Sequence, residues 1–576
     1  MIVYGDAVRL EAAGDALGAV RRALAEPARR PPGLPRHAAL VSAFVAAAEL
    51  VQALADAEFE ARGCDERSPD AEAGTAFLVD LARALDRSVR DGFAGCIPLP
   101  ALPDLGDPNR PLRLKTAEGY AFYALYPEAY LEAARRSGLG PDTRVIGIRS
   151  IGLGLAALVA AALGAAPPVS LRPVGHPFRR ELRIGPALAR DLAADPARPV
   201  AVVDEGPGLS GSSVASVADW LVRNGVGRDR IHVFPSHAGL PGQAASPEIR
   251  AFWSLAPRHV VAFEDLLGPS APGGLARWVE DLVGPLDGPL ETLSGGNWRA
   301  HRYAREADWP AADPGRERLK YLARTRRGDW LVRFAGLGGE GERKLDAARL
   351  LHGAGWAPEP AGLCHGFLVE RWIGAPGLDR AAFPRARLVL RLGDYIGFRA
   401  RELPARRGGA SLADLAAMAR HNTGEALGAD AARSLDRILE GAAALEPRVR
   451  RVDVDGKLDV HEWLVDGGRL VKTDGLDHSG AHDLVGCQDM AWDVAGAMAE
   501  FGLSRTDSED LARAAGRKAG RAVDPDLVAL LRPCYLAFRL GAATMAAASA
   551  GRDEAGRLRR AADRYAEAIR QVVRAS

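Results

Sequence analysis

The sequence predicts an α/β chain with more than one domain. A helical N-terminal extension precedes a doubly wound, mostly parallel sheet, and a two-lobed α+β half follows. The 576 residues exceed what one hydrophobic core usually supports. Short apolar runs alternate with helical patterns between about residues 115 and 265, which is typical of a parallel sheet covered by helices. We therefore expect a helical extension at 1–110, a parallel-sheet domain at 111–285, and a second half at 286–576, with a small lobe at about 290–373 and a large lobe at about 374–576.

Charge and cysteine usage exclude several classes of protein. The 75 Lys and Arg residues nearly balance the 74 Asp and Glu residues, so no overall field favours nucleic acid or a membrane surface. The five cysteines form no CxxC pair, which argues against a disulfide framework and fits a reducing cytosol. No signal peptide is apparent, and the apolar run Ile151–Leu163 is too short to span a bilayer. We expect a cytoplasmic protein with small-molecule substrates and no nucleic-acid or membrane partner; whether it forms a homodimer is left open.

The N-terminal extension is predicted to be helical from Leu10 to about Phe93, with an interruption at Pro27–Pro35. Its apolar stripes indicate packing, and nothing in it indicates chemistry. The aromatic segment Ala121–Pro127 is typical of a strand or turn, and core packing is the favoured role of its rings. The sequence assigns no function to the extension.

One stretch carries the clearest chemical pattern in the first half. Val200–Val203 is predicted to be a buried parallel strand, and Asp204 and Glu205 follow at its carboxyl end. A loop of glycine and serine residues then leads into a helix, and such a loop can hold a phosphate through its backbone N–H groups and hydroxyls. The carboxylates would repel a phosphate, so they suit sugar hydroxyls or a metal ion. The residues expected to hold the phosphate are Gly206, Gly208, Ser210, Gly211, Ser212 and Ser213.

A second strand, turn and helix precede it. Arg144–Ile148 is the predicted strand, and the turn offers Arg149, Ser150 and Gly152. Further strands are expected at Ile231–Phe234 and, at the sheet edge, Val260–Phe263. Between the two turns lies a loop rich in Arg, Gly and Pro, whose candidate anion-binding residues are Arg172, His176 and Arg179; an ordinary exposed loop is an equally good interpretation.

These residues resemble the signature of type I phosphoribosyltransferases. The resemblance implies that Asp204 and Glu205 hold the ribose hydroxyls of phosphoribosyl pyrophosphate (PRPP) and that the serine loop holds its 5′-phosphate. It also implies that the turn at Arg149 and the mobile loop hold the pyrophosphate, and that a nitrogenous base displaces it in the presence of Mg²⁺. An ordinary strand-to-helix turn and a different mononucleotide site are the alternatives.

The second half follows a different order of elements. Strands are predicted at Lys320–Ala323 and Trp330–Phe334, then a helix, and then a strand and connector at Gly366–Gly374. Late in the chain, Leu470–Asp474 is predicted to be a strand that ends in a carboxylate. The segment Gln488–Ala495 begins a helix with the pattern Asp-Met-Ala-Trp-Asp.

This order resembles the aminoglycoside and choline phosphotransferases, which have a kinase-like fold. The resemblance implies that ATP binds between two lobes, that Arg333 takes the position of the phosphate-binding Lys, with Glu342 or Asp346 as its partner, and that Asp474 and Glu462 bind Mg²⁺. It places Lys457 where the catalytic Asp belongs, so that Asp455 or Asp459 would have to act as the base. His478 and His482, if helical, could share a metal, although exposed loop histidines are commoner.

Three functions are consistent with the sequence. The first is a bifunctional enzyme that transfers a phosphoribosyl group and carries an ATP-binding, kinase-like half. That half either phosphorylates the product or a related metabolite, or is an inactive scaffold. The second is a PRPP- or nucleotide-sensing domain that regulates a small-molecule phosphotransferase. The third makes the second half the only enzyme. The sequence identifies neither the acceptor base nor the phosphate acceptor.

Overall fold

The structure is a computed structural model that describes residues 1–5, 8–149, 151–242, 245–478 and 482–575. Its strands are β1 (Val8–Ala12), β2 (Pro111–Lys115), β3 (Arg144–Ile148), β4 (Val169–Leu171), β5 (Val174–His176), β6 (Arg179–Glu181), β7 (Val200–Val203), β8 (Ile231–Phe234), β9 (Glu291–Thr292), β10 (Lys320–Thr325), β11 (Gly328–Phe334), β12 (Pro360–Cys364), β13 (Phe367–Arg371), β14 (Trp463–Asp466) and β15 (Arg469–Lys472).

The α-helices of the first half are α1 (Ala13–Arg29), α2 (Leu34–Arg62), α3 (Pro69–Arg90), α4 (Glu118–Phe122), α5 (Pro127–Arg136), α6 (Gly152–Leu163), α7 (Pro186–Ala193), α8 (Ser212–Arg223), α9 (Pro247–Leu255), α10 (Phe263–Leu266) and α11 (Leu275–Val283). Those of the second half are α12 (Gly339–Gly353), α13 (Arg385–Glu402), α14 (Leu412–Leu427), α15 (Ala429–Ser434), α16 (Asp436–Leu439), α17 (Ala442–Leu445), α18 (Ala491–Phe501), α19 (Arg505–Ala519), α20 (Pro525–Ser549) and α21 (Arg552–Ala575).

The predicted parallel sheet is confirmed. Its order is β4-β3-β7-β8, and every neighbouring pair runs parallel. Alternate side chains of β7 enter two different cores: Val200 and Val202 pack on the side of α8, and Ala201 and Val203 on the side of α6. The sheet is therefore covered on both faces, which explains why its strands consist of consecutive apolar residues.

The predicted edge strand at Val260–Phe263 is absent. The backbone around Arg258 makes a single bridge to Val233, and Phe263 already begins α10. The carbonyl oxygen of Pro257 accepts from the N–H of Val233, and the N–H of His259 donates to the carbonyl oxygen of Val233. Pro257 has no N–H with which to extend this pairing, and the chain then turns away from β8.

The N-terminal extension is mainly helical, as expected, with one correction. Leu10 lies in β1, which pairs antiparallel with β2, and the helices begin only at Ala13. The aromatic segment is also corrected, because Glu118–Phe122 forms the short helix α4. Two helices, α2 and α20, are long and apolar enough to cross a membrane. In α2 78% and in α20 67% of the most apolar window is buried inside the structure, so packing accounts for their composition.

The small lobe contains an antiparallel sheet in the order β12-β13-β11-β10-β9, with α12 against β12 and β13. Its strands at Lys320–Thr325 and Gly328–Phe334 confirm the two predicted there. Phe334 and Phe367 share one hydrophobic core with Trp278 of α11 and with helices α1, α2 and α6. The core thus continues across the boundary that the sequence predicts near residue 285.

The large lobe is built on α13, which packs closely on α19. Gly393 and Gly397 make this possible: a Cβ at Gly393 would lie 2.6 Å from Cβ of Ala514, and one at Gly397 would lie 2.3 Å from the carbonyl oxygen of Ala515. The same helix carries Arg399, which contacts the loop before β14. The spacing of α13 and α19 therefore helps to position residues of the cleft described below.

We expect Gly393→Ala to destabilise the protein, because its methyl group would overlap the α19 backbone and side chains. Such overpacking typically costs about 1–3 kcal/mol, visible as a lower midpoint of thermal unfolding. Gly353→Ala in α12 is the matched control, since nothing lies within 4 Å of a Cβ there; Ala should be neutral or slightly stabilising at that position. Equal midpoints for both variants would contradict the packing described here.

Candidate functional site

A cavity of about 280 Å³ lies between the small-lobe sheet and the segment that surrounds β14 and β15. The segment between β9 and β10 covers one side of it, and the connector after β13 lies at another. The residues that line it include Tyr123, Trp298, Arg302, Arg316, Arg318, Lys320, Arg333, Trp372, Lys457, Asp459, His461, Glu462, Asp474, Asp477 and His478.

The two carboxylates predicted to bind Mg²⁺ meet in this cavity. Ligand atoms of Glu462, Asp474 and His478 all lie within 4.8 Å of one another. The first precedes β14 and the second follows β15, so the hairpin of these strands brings them together. Asp474 Oδ1 is buried and has no hydrogen-bond partner among the described residues. Its nearest cationic group in the described part of the chain is Nη1 of Arg333 at 3.8 Å, so the oxygen keeps the capacity to bind a cation.

The partners of this cluster are basic. Lys472 Nζ lies 2.5 Å from Glu462 Oε2 and also donates to the carbonyl oxygen of Asp474. Burial raises the pKa of Glu462 well above its ordinary value, although Lys472 opposes the shift. Burial alone would also raise the pKa of Asp474, but His478 and Arg333 overcome burial and lower it. Asp474 therefore stays ionised, and a cation would favour the ionised form of Glu462 as well.

The histidine pair of the sequence prediction separates into two environments. His478 joins the cluster and lies 3.0 Å from the carbonyl oxygen of Asp455 through Nδ1. His482 instead stacks on Tyr4 and contacts the hydroxyl of Tyr123 at 3.0 Å. Among the described residues, the two histidines do not form a shared metal cluster.

Arg333 lies on β11 and reaches the cavity, but its partners differ from those predicted. Its Nε donates to Glu370 at 2.6 Å and its guanidinium donates to Asp477 at 2.6 Å. Glu342 and Asp346 are exposed on α12 and do not pair with it, because that face of the helix points to solvent. Asp477 also accepts from Lys344 of α12 at 2.5 Å. The positive charge of Arg333 is thus largely balanced within the protein.

The predicted bases occupy three different environments. Asp455 is buried behind the cavity, where it accepts from the hydroxyl of Tyr395 at 2.5 Å and lies 3.4 Å from Lys472 Nζ. The prediction that Asp455 acts as the base is therefore corrected, because this carboxylate does not line the cavity. Asp459 does line it, but burial is outweighed by Arg539, 2.7 Å away, and the pKa of Asp459 falls. Such a carboxylate is a weak base.

Lys457 lines the same cavity, and its nearest carboxylate is that of Asp483, at 3.8 Å. Burial, together with Arg316 and Arg539, lowers the pKa of Lys457 to about 8. A lysine with this pKa holds a substantial neutral fraction near neutral pH. The sequence identified its position, but only the tertiary structure shows the partly buried, cationic surroundings that lower its pKa.

The loop that carries Lys457 is held from behind by the predicted helix start. Asp493 of α18 accepts from the backbone N–H groups of Asp455 at 2.8 Å and Gly456 at 2.9 Å. Trp492 Nε1 donates to the carbonyl oxygen of Gly456 at 3.1 Å. The motif at Gln488–Ala495 thus positions the loop rather than lining the cavity.

The carboxyl edge of the parallel sheet forms a second candidate site. Asp204 and Glu205 follow β7 there, and a Cβ at Gly152 would lie 2.6 Å from the carbonyl oxygen of Val203. The two predicted strand–turn–helix units therefore meet at one edge. Burial raises the pKa of Asp204 to about 7. Burial and the charge of Asp204 raise that of Glu205 to about 8, so this pair favours a cation or hydroxyl donors.

The serine loop curls back as predicted. Gly208 and Gly211 have left-handed φ angles of 55° and 61°, which glycine adopts without strain. Ser210 and Ser212 hydroxyls lie 3.0 Å apart, and that of Ser212, the first residue of α8, also donates to the carbonyl oxygen of Pro177. The remaining predicted loop residues, Gly206 and Ser213, flank this turn.

The predicted mobile loop is partly ordered as the hairpin β5–β6. His176 and Arg179 lie on it and are exposed. Through Pro177 the hairpin touches the serine loop, so these side chains lie beside the second site.

Arg149 and Arg172 are held by acidic residues of the N-terminal extension. Asp56 lies 2.9 Å from Arg149 and 2.7 Å from Arg172, and Asp65 also pairs with Arg149. This use of the extension was not visible in the sequence. The prediction for Ser150 lies outside the described residues.

Helix α4 and the residue that follows it lie next to both candidate sites. A Cβ at Gly119 in α4 would lie 3.1 Å from the Glu205 carboxyl carbon, while Tyr123, four residues later, lines the cleft cavity. Arg318 of the cavity donates to the carbonyl oxygen of Phe122. The sequence predicts core packing for the aromatic residues of Ala121–Pro127, and only the tertiary structure places Tyr123 at the cleft.

No family model matches the chain, and no curated protein matches it. Among solved structures, a choline kinase from Streptococcus pneumoniae is similar at 16% identity over 43% of this chain and 89% of that one, with a TM-score of 0.29. A choline/ethanolamine kinase family protein from Mesorhizobium loti is similar at 19% identity over 50% and 94%, with a TM-score of 0.32.

A spectinomycin phosphotransferase in complex with ADP and spectinomycin is similar at 12% identity over 52% of this chain and 97% of that one, with a TM-score of 0.35. These three structures are kinases or phosphotransferases, and none is a phosphoribosyltransferase. At such TM-scores the likeness carries no function over to this chain.

Proposed function

We propose that the cleft is the active site of a small-molecule phosphotransferase that uses ATP and Mg²⁺. The observation that carries the proposal is the convergence of Glu462, Asp474 and His478 in a cavity that also contains Lys457. Carboxylate oxygens are the ligands that Mg²⁺ prefers in proteins. The ion would bridge the phosphates of ATP, while Arg302, Arg316 and Lys320 line the same cavity.

The aromatic residues at the connector suit the base of a nucleotide. Trp298 stacks on His461 with ring centroids 5.6 Å apart, and the guanidinium of Arg302 lies 4.1 Å from the centre of the Trp372 ring. Arg302 also donates to the carbonyl oxygens of Ile373 and Ala375 in the connector. We infer that the base lies against these rings and that the phosphate chain runs toward Asp474.

Lys457 supplies the base for the reaction. As the acceptor hydroxyl attacks the γ-phosphorus of ATP, its proton passes to the neutral amine of Lys457, the bond to the bridging oxygen breaks, and ADP leaves. At pH 7.5 about a quarter of a lysine with a pKa near 8 is neutral. We therefore propose a phosphotransferase whose rate rises with pH, with Asp493 holding the loop of the base in place.

A second candidate function is favoured by the edge of the parallel sheet. We propose that Asp204 and Glu205 bind the ribose hydroxyls of PRPP, with Mg²⁺, and that the loop at Ser210–Ser213 binds its 5′-phosphate. The supporting observation is that the paired carboxylates, the serine loop and the turn at Gly152 meet at one edge. The raised pKa values of the two carboxyls fit a pair that gains from a cation. The same site without chemistry would be a PRPP sensor for the cleft.

Replacing Lys457 tests the proposed base. We expect Lys457→Ala to lower the rate of ATP consumption about 10²-fold or more, within the range attributed to general base catalysis. Lys457→Asp should recover part of the rate and lose its dependence on pH between about 6 and 9, because a carboxylate is already ionised there. For the wild type, the rate should rise through pH 8. A flat wild-type profile, or full activity of Lys457→Ala, would contradict the proposed role.

Replacing Asp474 tests the metal site. We expect Asp474→Asn to lose most of the Mg²⁺-dependent part of ATP affinity, measured by calorimetry with and without the ion, because a neutral amide is a weaker ligand. Asp346→Asn removes an exposed carboxylate on α12 and should leave the affinity unchanged. If the wild type binds no ATP at millimolar concentration, the proposed function is wrong. If both variants bind ATP and Mg²⁺ equally, only the metal assignment is wrong.

The PRPP site is tested by the pair Asp204→Asn with Glu205→Gln. We expect PRPP affinity in the presence of Mg²⁺ to fall at least tenfold, since amides cannot become the ionised acceptors that the two carboxyls form beside a cation. The matched control is Asp229→Asn with Glu264→Gln, which changes two exposed carboxylates. Pyrophosphate release with a panel of bases separates the enzyme from the sensor. No PRPP binding by the wild type would refute both.

A further inference from the structure

Three titratable side chains meet in the core, and none of them lines the cleft cavity. His37 comes from α2, Glu128 from the first turn of α5, and His365 from the turn between β12 and β13. The imidazoles are fully buried, and the carboxylate is 1% exposed. The cluster therefore connects the N-terminal extension, the parallel-sheet region and the small lobe.

The two imidazoles converge on one carboxylate oxygen. Nε2 of His37 lies 2.7 Å and Nε2 of His365 lies 2.6 Å from Glu128 Oε1. The ring centroids are 5.3 Å apart, with the planes at 62°. The other nitrogen of His37, Nδ1, lies 2.9 Å from Ser88 Oγ. This contact fixes the ring, as outer hydrogen bonds do for histidines that bind metals.

The surroundings of the cluster are aromatic. Phe93 stacks on His37 at 4.3 Å, and the rings of Tyr126 and Trp278 contact His365 at 5.2 Å and 5.3 Å. Glu128 Oε2 is buried there without a hydrogen-bond partner among the described residues. A cation bound at this carboxylate would offset the cost of burying its charge among aromatic rings.

The geometry of the cluster suits a metal ligand set. Ligand atoms of His37, Glu128 and His365 all lie within 4.8 Å of one another. Imidazole nitrogen and carboxylate oxygen are common ligands of transition-metal ions in proteins.

We propose that His37, Glu128 and His365 bind one divalent transition-metal ion in the core. Two imidazole nitrogens and one carboxylate oxygen suit Zn²⁺ and disfavour Mg²⁺, which prefers oxygen ligands. Three protein ligands leave the fourth position of a tetrahedral Zn²⁺ site to a further ligand. The ion would hold the three parts of the chain together.

Because the cluster does not line the cleft cavity, its zinc can be measured separately from any metal bound in the cleft. Full-length protein is prepared in zinc-supplemented medium, purified without chelators, dialysed, and its zinc content is measured by elemental mass spectrometry. We expect about one zinc ion per chain in the wild type and in Glu462→Gln, whose change lies in the cleft. His365→Ala and His37→Ala should contain almost none. Equal zinc in the wild type and both histidine variants would overturn the proposal.

Loss of a buried ligand can also unfold the chain, so a second measurement uses the wild type alone. After removal of metal with a chelator, zinc should raise the midpoint of thermal unfolding, and cobalt should give the visible absorption of a four-coordinate site with nitrogen ligands. The proposal is wrong if the wild type contains no zinc and neither zinc nor cobalt changes its midpoint of thermal unfolding. The three side chains would then be held together by hydrogen bonds alone.

Discussion

The two shortest ion pairs of Asp477 hold the cleft in shape. This carboxylate accepts from Arg333 of β11 at 2.6 Å and from Lys344 of α12 at 2.5 Å. Lys344 is fully buried, so its charge depends on Asp477 and on Glu340, 3.4 Å away. Removing one member would leave an uncompensated buried charge, which is strongly destabilising. Since Asp477 follows Asp474 by three residues, the same pairs fix where the cleft carboxylate stands relative to the small-lobe sheet.

The pairing of Arg333 with carboxylates of the protein leaves little of its positive charge for a ligand of the cleft. Because Arg333 is paired with Glu370 and Asp477 inside the protein, the proposed binding of ATP would leave most of the phosphate charge to Mg²⁺ and to other basic residues of the cavity. Lys457 stands among the cationic groups Arg316 and Arg539, and burial with these charges lowers its pKa. In the proposed reaction, Lys457 would therefore be the base at the position where the resemblance predicts a catalytic Asp.

Local patterns predicted much of the fold, and tertiary contacts decided the rest. Consecutive apolar residues at Val200–Val203 predicted the parallel strand because both faces of that sheet are covered. The strand expected at Val260–Phe263 does not form, because in the described residues the chain before it makes only a single bridge to β8, at Arg258 next to Pro257. Asp474 and Glu462 were predicted as a pair from the resemblance to the phosphotransferases, and the hairpin of β14 and β15 brings them together. The partners of Arg149 were not, because they come from a helical extension about 90 residues earlier.

The most direct test of the cleft is a crystal structure with Mn²⁺ in place of Mg²⁺ and a non-hydrolysable ATP analogue. The account predicts an anomalous signal at coordinating distance, about 2.1 Å, from the carboxylates of Glu462 and Asp474. It also predicts the phosphate chain in the cavity near Lys457 and the base against Trp298 and Trp372. Nucleotide bound elsewhere, or Mn²⁺ held by other residues, would contradict the account.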